Sequence, residues 1–305
     1  ESIAGIETLK SVAGEGAMLG RWRRIAELGQ QSQQRVAELS ASKLVDVILN
    51  LVEQHRHEID DGMDAGMALE VRRHVGVILD GNRRWAKANP DEAGDTSTKR
   101  GHQAGAKKIV DLLDWCEEAK VAVVTLWLLS NDNLARPAAE LDPLLQIIGD
   151  AIEELGRIGR WELRPVGSME LLPIWLQEKL QNVASKSKGI PGVLVNVAIG
   201  YGGRQEIADA VKSLIIEAAK GGKSIDQLTN LISEDEIGKF LYTAGQPDPE
   251  LLIRTSGEQR LGGFLLWQSA LSEFYFCEAY WPDFRRVDFL RALRSYSVRQ
   301  RRFGS

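Results

Sequence analysis

The segment Asp80-Gly81-Asn82-Arg83-Arg84-Trp85-Ala86 concentrates more reactive chemistry than any other part of the chain. Asp80 offers a hard carboxylate oxygen of the kind that holds Mg²⁺. Gly81 lets the backbone come close to a ligand. Arg83 and Arg84 present forked donors that match phosphate oxygens. An acid beside two arginines suits a Mg²⁺-diphosphate, and the competing reading is a solvated charged turn at the end of a strand. Three other segments share this character: Ser130-Asn131-Asp132-Asn133-Leu134-Ala135-Arg136-Pro137, Gly200-Tyr201-Gly202-Gly203-Arg204 and Arg254-Thr255-Ser256-Gly257-Glu258-Gln259-Arg260. Each is rich in glycine, hydroxyl or amide groups and carries at least one arginine. Glycine-rich turns before helices aim backbone N–H groups and the positive helix end at an anion. Any one of them alone could be an ordinary turn. Several at one edge of a sheet would form a phosphate-rich site. His102, in Arg100-Gly101-His102, is a candidate phosphate donor, an acid–base group or a plain helix cap.

These turns need elements to hold them. Apolar, β-branched residues 75–79 run directly into Asp80, as a buried parallel strand would. Further strands are expected at 121–129, 162–166, 194–199, 251–254 and 274–276. Helices are expected at 105–118, 141–155, 205–219 and 287–297. The alternation predicts an α/β fold, a mostly parallel twisted sheet flanked by helices on both faces, over residues 71–305. The functional turns then fall at the carboxyl ends of strands, where open α/β sheets bind ligands. Residues 1–70 differ. Ile25, Leu28, Val36, Leu39, Leu44, Val47, Ile48 and Leu51 recur at helical steps, so an N-terminal helical extension is expected, followed by an acidic linker. Its plainest role is to pack on the domain or on another subunit.

Bulk properties narrow the function. The chain has 305 residues, of which 44% are hydrophobic and 27% charged, as in an ordinary globular protein. A net charge of -5 argues against a nucleic-acid partner but leaves local phosphate binding open. Cys116 and Cys277 are the only cysteines and have no metal or redox spacing, which fits packed thiols in a reducing compartment. No apolar run approaches the roughly 20 residues of a membrane span, so at most peripheral membrane contact is expected. The first residues show no secretory pattern, and a cytoplasmic location is expected. There is no GxxxxGK[ST], no strand-linked GxGxxG and no GxSxG elbow. The four histidines form no metal set.

Taken together, Asp80 to Ala86, Gly101-His102-Gln103-Ala104-Gly105, Ser130 to Pro137, Gly202-Gly203-Arg204 and Ile253 to Arg260 resemble the motifs of the cis-prenyltransferases. Phe264 to Gln268, Ser272-Glu273-Phe274 and Trp281-Pro282-Asp283-Phe284 complete the resemblance, which runs from about His74 to Gly304. Leu241 to Asp248 is similar to the actinobacterial short-chain branch. The resemblance implies a Mg²⁺-dependent enzyme that condenses isopentenyl diphosphate with an allylic diphosphate. It also implies a homodimer whose subunits each carry a hydrophobic tunnel. By match to the family's motifs, Asp80 is the Mg²⁺ ligand, and Arg84 and His102 belong to the allylic diphosphate site. Asn82, Ser130 and Asn133 lie near the reacting centre, with Gly81, Arg83, Trp85 and Arg136 in the same substrate-binding segments. Arg254 and Arg260 match the isopentenyl diphosphate clamp. Glu273 matches an acid implicated in Mg²⁺ binding across the dimer, and Arg302 and Gly304 match a tail that reaches the partner's site. The chain departs from the pattern in four places: Leu134 replaces a common aromatic, Gly262 replaces a common serine, the loop from Ala88 to Thr98 is longer than in typical long-chain members, and Lys99 or Arg100 stands in for an arginine usual before Gly101-His102.

The expected product is short, of the Z,E-farnesyl diphosphate type, with Leu128 as the limit. Leu128 stands two residues before Ser130 in a strand, so the two share a face. Long-chain relatives carry a small residue there. The alternatives are a medium- or long-chain polyprenyl diphosphate synthase and a non-catalytic partner subunit. Such subunits typically lose the metal aspartate and the clamp arginines, and this chain has all three.

Overall fold

The computed structural model describes residues 73–223, 227 and 231–298. The expected helical extension over 1–70, together with Arg302 and Gly304, lies outside the described residues. Six strands form one parallel sheet: β1 (His74–Ile78), β2 (Val123–Ser130), β3 (Glu162–Val166), β4 (Leu194–Tyr201), β5 (Leu251–Arg254) and β6 (Glu273–Phe276). Their order is β3-β4-β2-β1-β5-β6, so β1 is central and β6 is an edge. The helices are α1 (Asn82–Ala88), α2 (Thr98–Glu118), α3 (Asn131–Leu134), α4 (Ala138–Ile158), α5 (Ile174–Ser187), α6 (Gly203–Lys220), α7 (Glu234–Gly238) and α8 (Arg286–Val298). The expected α/β architecture is borne out. Every residue of β1 and β5 is buried, which is why both read as mostly apolar runs, with His74 and Arg254 at their ends, rather than as alternating ones.

Four helices were not expected from the sequence: α1, α3, α5 and α7, of which α3 and α7 are only four and five residues long. α1 is short, and its polar residues read as part of a turn. α5 buries Leu176, Leu180, Val183 and Ser187 along one stripe, a helical signal weakened by the polar residues between them. α2 also begins earlier than expected. Ser97 caps it by accepting from Arg100 N at 3.3 Å. Gly101 and Gly105 lie inside it, and each costs about 1 kcal/mol of helix stability relative to Ala. Packing explains them: a Cβ on Gly101 would sit 2.1 Å from Asn82 O, and one on Gly105 would sit 2.1 Å from Asn82 Oδ1. The two glycines let α2 press directly on the first residue of α1.

Strand register sets the site. Ile78 pairs with Trp127 on one side and Arg254 on the other, so three strand ends finish side by side. Ser130 pairs with Tyr201 and brings β4 to the same edge. The β2–β4 register shifts between Trp127 and Ser130, a local bulge at the rim of the site. At the other end of the sheet a buried polar group is fully engaged. His74 Nε2 lies 2.7 Å from Thr125 Oγ1 and Nδ1 lies 2.8 Å from Pro247 O. Burial pushes the His74 imidazole down to about 4, against a weaker opposing contribution from the Pro247 carbonyl.

Candidate active site

A cavity of about 850 Å³ opens at the carboxyl ends of β1, β2 and β5. Its mouth is polar and contains Asp80, Arg83, Arg84, His102, Arg136, Arg254 and Arg260. Its inner wall is apolar. Leu128 of β2, Ile109 of α2 and Leu144 and Ile148 of α4 all line it. The chain therefore builds an anion-binding head joined to a hydrocarbon-lined sleeve.

Asp80 is at the centre of the mouth. The chain turns sharply after β1, with Gly81 at φ +108. A Cβ there would lie 2.9 Å from the Tyr280 ring and 3.0 Å from Ser256 Cβ, so glycine is required on two counts. Thr255 Oγ1 donates to the Asp80 carbonyl at 2.6 Å and accepts from Asp80 N at 3.0 Å, which ties the turn to the end of β5. The carboxylate accepts from Arg254 Nη2 at 2.8 Å and lies 3.6 Å from Arg84 Nη2. Burial raises the Asp80 pKa, but the Arg254 hydrogen bond and charge, Ser256 and Arg84 together hold it below the ordinary carboxylate range. It is an anion at neutral pH.

The arginines form two groups, each sharing one glutamate. Arg83 Nη1 and Arg136 Nη1 lie 3.4 Å and 3.2 Å from Glu140 Oε1. Arg136 also donates to Asn133 Oδ1 at 2.8 Å. Ser130 caps α3 by accepting from Asn133 N at 3.2 Å, which fixes the turn that carries both groups. His102 adjoins this group. Burial, then the Arg136 and Arg83 charges, push its pKa down to about 4. Its Nε2 is buried and has no hydrogen-bond partner among the described residues. A neutral imidazole with an open nitrogen beside two guanidiniums can join an arriving anion. In the second group, Arg84 and Arg260 pair with Glu258 at 3.3 Å and 2.8 Å, and Arg84 donates to Ser256 at 2.7 Å. Arg84 is thus tied to the 254–260 turn, while His102 sits with Arg83 and Arg136. The first group has two cations to one acid, and the second, counting Arg254 and Asp80, has three cations to two acids, so each keeps an excess of positive charge for a diphosphate.

The structure brings Asp80, Gly81, Asn82, Arg83, Arg84, His102, Leu128, Ser130, Asn133, Arg136, Arg254 and Arg260 to this one cavity. It does not bring Trp85 or Glu273 there. Trp85 donates through Nε1 to Asp283 Oδ1 at 2.7 Å and stacks beneath Arg100, so it fastens α1 to residues 281–283. Glu273 opens edge strand β6 opposite Leu251, three register positions before Phe276 meets Arg254. Glu140 and Glu258 were missed as site residues. Their signals were present: Glu140 stands four residues after Arg136, and Glu258 lies within the arginine turn. Gly262 has φ +66, and its Cβ would lie 3.3 Å from Trp127 and 3.4 Å from Arg254 Nη1.

The donor set bears on a metal. Among the described residues no three His, Cys, Asp or Glu side chains cluster to hold an ion. Mg²⁺ does not need such a cage, because it retains water and commonly takes one or two carboxylates together with substrate phosphates. Asp80, 31% exposed at the cavity mouth, meets that requirement.

Comparison with known proteins agrees with this geometry. Residues 78–304 match the prenyltransferase family model described as "Putative undecaprenyl diphosphate synthase". A (2Z,6E)-farnesyl diphosphate synthase of Thermobifida fusca is 61% identical over 232 residues, covering 76% of this chain and 89% of that one. Isoprenyl transferase 1 of Streptomyces avermitilis is 57% identical over 236 residues, covering 77% and 90%. Among solved structures, lavandulyl diphosphate synthase from Lavandula x intermedia, in complex with dimethylallyl diphosphate, superposes with a TM-score of 0.69. It is 33% identical and covers 77% of this chain and all of that one. With two arginine groups and an aspartate at the head of an apolar sleeve, on this sheet and with these relatives, the chain belongs to the cis-prenyltransferase family of prenyl-transferring enzymes.

Proposed function

We propose that this protein condenses isopentenyl diphosphate with an allylic diphosphate to give a short-chain Z-prenyl diphosphate of the Z,E-farnesyl type. The observation that supports the reading is the cavity in which a cationic mouth leads into an apolar sleeve with Leu128 in its lining. Breaking the allylic C–O bond places negative charge on the departing diphosphate. Fixed arginines stabilise that charge more in the transition state than in the ground state. Arg83, Arg136 and His102 form one anion site, and Arg84 and Arg260 form the other, with Arg254 bracing Asp80 between them. Bound Mg²⁺, held by Asp80, would supply Lewis-acid stabilisation of the diphosphate oxygens. The sleeve keeps water from the allylic tail and favours its burial by roughly 0.8 kcal/mol per methylene. Leu128 limits growth because it narrows the space the next unit would occupy.

The dimer belongs to the same proposal. Among the described residues β6 is an unpaired sheet edge with Phe276 37% exposed, and such an edge is normally covered. Glu273 at its start, and the tail containing Arg302 and Gly304, would then act on the neighbouring subunit's site. Labelled isopentenyl diphosphate offered with dimethylallyl, geranyl and farnesyl diphosphates, with Mg²⁺ or with EDTA, tests the reaction. Sedimentation of the same samples tests the dimer. No incorporation with any primer in Mg²⁺ would overturn the reaction, and a fully active monomer would overturn the shared site.

A further inference from the structure

A second cavity, of about 490 Å³, lies on the outer side of the seam between α2 and α4. Three of its lining side chains also line the active-site cavity: Ala106 of α2, and Ile147 and Ala151 of α4. The two spaces are therefore divided by a wall one side chain thick. Two of those side chains are single methyl groups, so only Ile147 has reach. Ile147 and Ala151 are one helical turn apart and face the seam together. Val110, four residues after Ala106, lines only the outer cavity. Both cavities have apolar floors here, and the outer one is rimmed by Lys107 and Asp150, whose heads can stay in water.

We propose that the α2–α4 seam is a side port for hydrocarbon, gated by Ile147. Its ligand is the distal end of an allylic chain too long for the sleeve, which passes between Ala106 and Ala151 into the outer cleft. Leu128 limits the tail on the strand side of the sleeve, and Ile147 limits it on the helix side. An apolar tail entering the cleft remains largely buried, so growth continues once the gate is removed. This inference rests on the prenyl-transfer reading, and it adds a second length-determining residue and a place for the displaced tail.

The test uses the full-length enzyme and two readouts. Ile147→Ala, with Leu128 intact, should raise the ratio of longer to shorter dephosphorylated products roughly tenfold. Thickening the wall with Ala151→Leu in the Ile147→Ala background should return that ratio to the wild-type value. Tail position is read separately. Cys116 and Cys277 are both buried, so a Val110→Cys substitution supplies an accessible thiol for maleimide. In the Ile147→Ala background, geranylgeranyl diphosphate should slow its labelling several-fold, and dimethylallyl diphosphate should not. Wild-type turnover with an unmoved product ratio, or equal labelling with both diphosphates, overturns the port and leaves the reaction standing. Absence of wild-type turnover overturns the reaction and the port together. If Ile147→Ala does not fold, Ile147→Val must show the same direction of shift, and a null result there also overturns the port.

Discussion

Asp80→Ala should cost both turnover and stability, and a double-mutant cycle separates the two causes. The Arg254 side chain is 9% exposed and gives Nη2 to the Asp80 carboxylate at 2.8 Å. Its Nη1 donates to the Arg260 carbonyl, and its Nε is buried with no partner among the described residues. Losing the carboxylate leaves a nearly buried cation supported mainly by one carbonyl. Breaking a fully buried pair from one side costs about 3–5 kcal/mol. Asp80 is 31% exposed, so water can replace part of the lost interaction, and a cost of about 1–3 kcal/mol is expected. Removing Arg254 as well should recover part of that cost. The Asp80→Ala/Arg254→Met double variant should be less destabilised than the sum of the single variants by about 1 kcal/mol or more. Urea unfolding followed by tryptophan fluorescence measures this, since Trp127 and Trp281 line the cavity. Turnover of labelled isopentenyl diphosphate should fall by about a thousandfold or more in Asp80→Ala, because a preorganised charge at the leaving group is lost. The pair's stabilisation also has a pH signature. The Asp80 pKa is lowered in the folded state, so the contribution is complete above the ordinary value near 3.8 and disappears as pH falls below it. Strict additivity in the cycle would refute the stranded-cation argument. Near-wild-type turnover of Asp80→Ala would refute the assignment of Asp80 to the chemistry.

Other outcomes follow from the same geometry. Arg260 is 69% exposed, so Arg260→Ala should raise the KM for isopentenyl diphosphate about tenfold or more with little change in urea stability; a larger effect on the allylic primer would exchange the two anion sites. Arg254→Ala should instead lower stability and impair both substrates, because it braces Asp80; a pure KM effect would contradict this. Leu128→Ala should shift products to greater length at a stability cost of about 1–2 kcal/mol, below the range for a fully buried leucine, and an unchanged chromatogram would remove Leu128 as a limit. His102, held at about 4 by burial and by Arg136 and Arg83, should titrate higher when inorganic pyrophosphate fills the mouth, as read by NMR; no shift would place the anion elsewhere. The buried His74, lowered to about 4, gives stability that is complete above about 6.5 and is lost as pH falls toward 4, by at most about 3 kcal/mol. His74→Gln should flatten that loss in pH-dependent urea melts.

The parts of this protein that were legible in sequence are those encoded locally. Strand β1 announces itself through five consecutive buried residues, and the turn after it through an acid and a glycine that can adopt φ +108. Alternation puts Leu128 and Ser130 on one face of β2, and both line the cavity; the bulge between Trp127 and Ser130 brings Trp127 and Leu129 to it as well, which alternation does not predict. What was not legible is set by register between distant strands. Arg84 and His102 were grouped by their match to the family's motifs, and both line the cavity; that Arg84 is also drawn to Ser256 and Glu258, more than 170 residues away, shows only in the fold. Trp85 sits within the densest motif, but its indole N–H finds Asp283 and leaves the cavity. A motif therefore indicates which turn reaches the site. The long-range acids, Glu140 and Glu258 here, decide which side chains of that turn face the ligand.

The same reasoning explains why the helix-side limit is hidden when the strand-side limit is not. On a strand, period-two alternation places Leu128 on the face of Ser130 without knowledge of its neighbours, although at this bulged strand end Trp127 and Leu129 reach the cavity too. On α4, the buried stripe of Leu144, Leu145, Ile148 and Ile152 already satisfies the expected amphipathic pattern, and Ile147 lies just off it. Its role appears only when α2 is in place and Ala106 stands across the seam. A residue at the border of an apolar stripe can belong to the core, to the surface or to a wall between two spaces. Only the packing of the second helix decides among them.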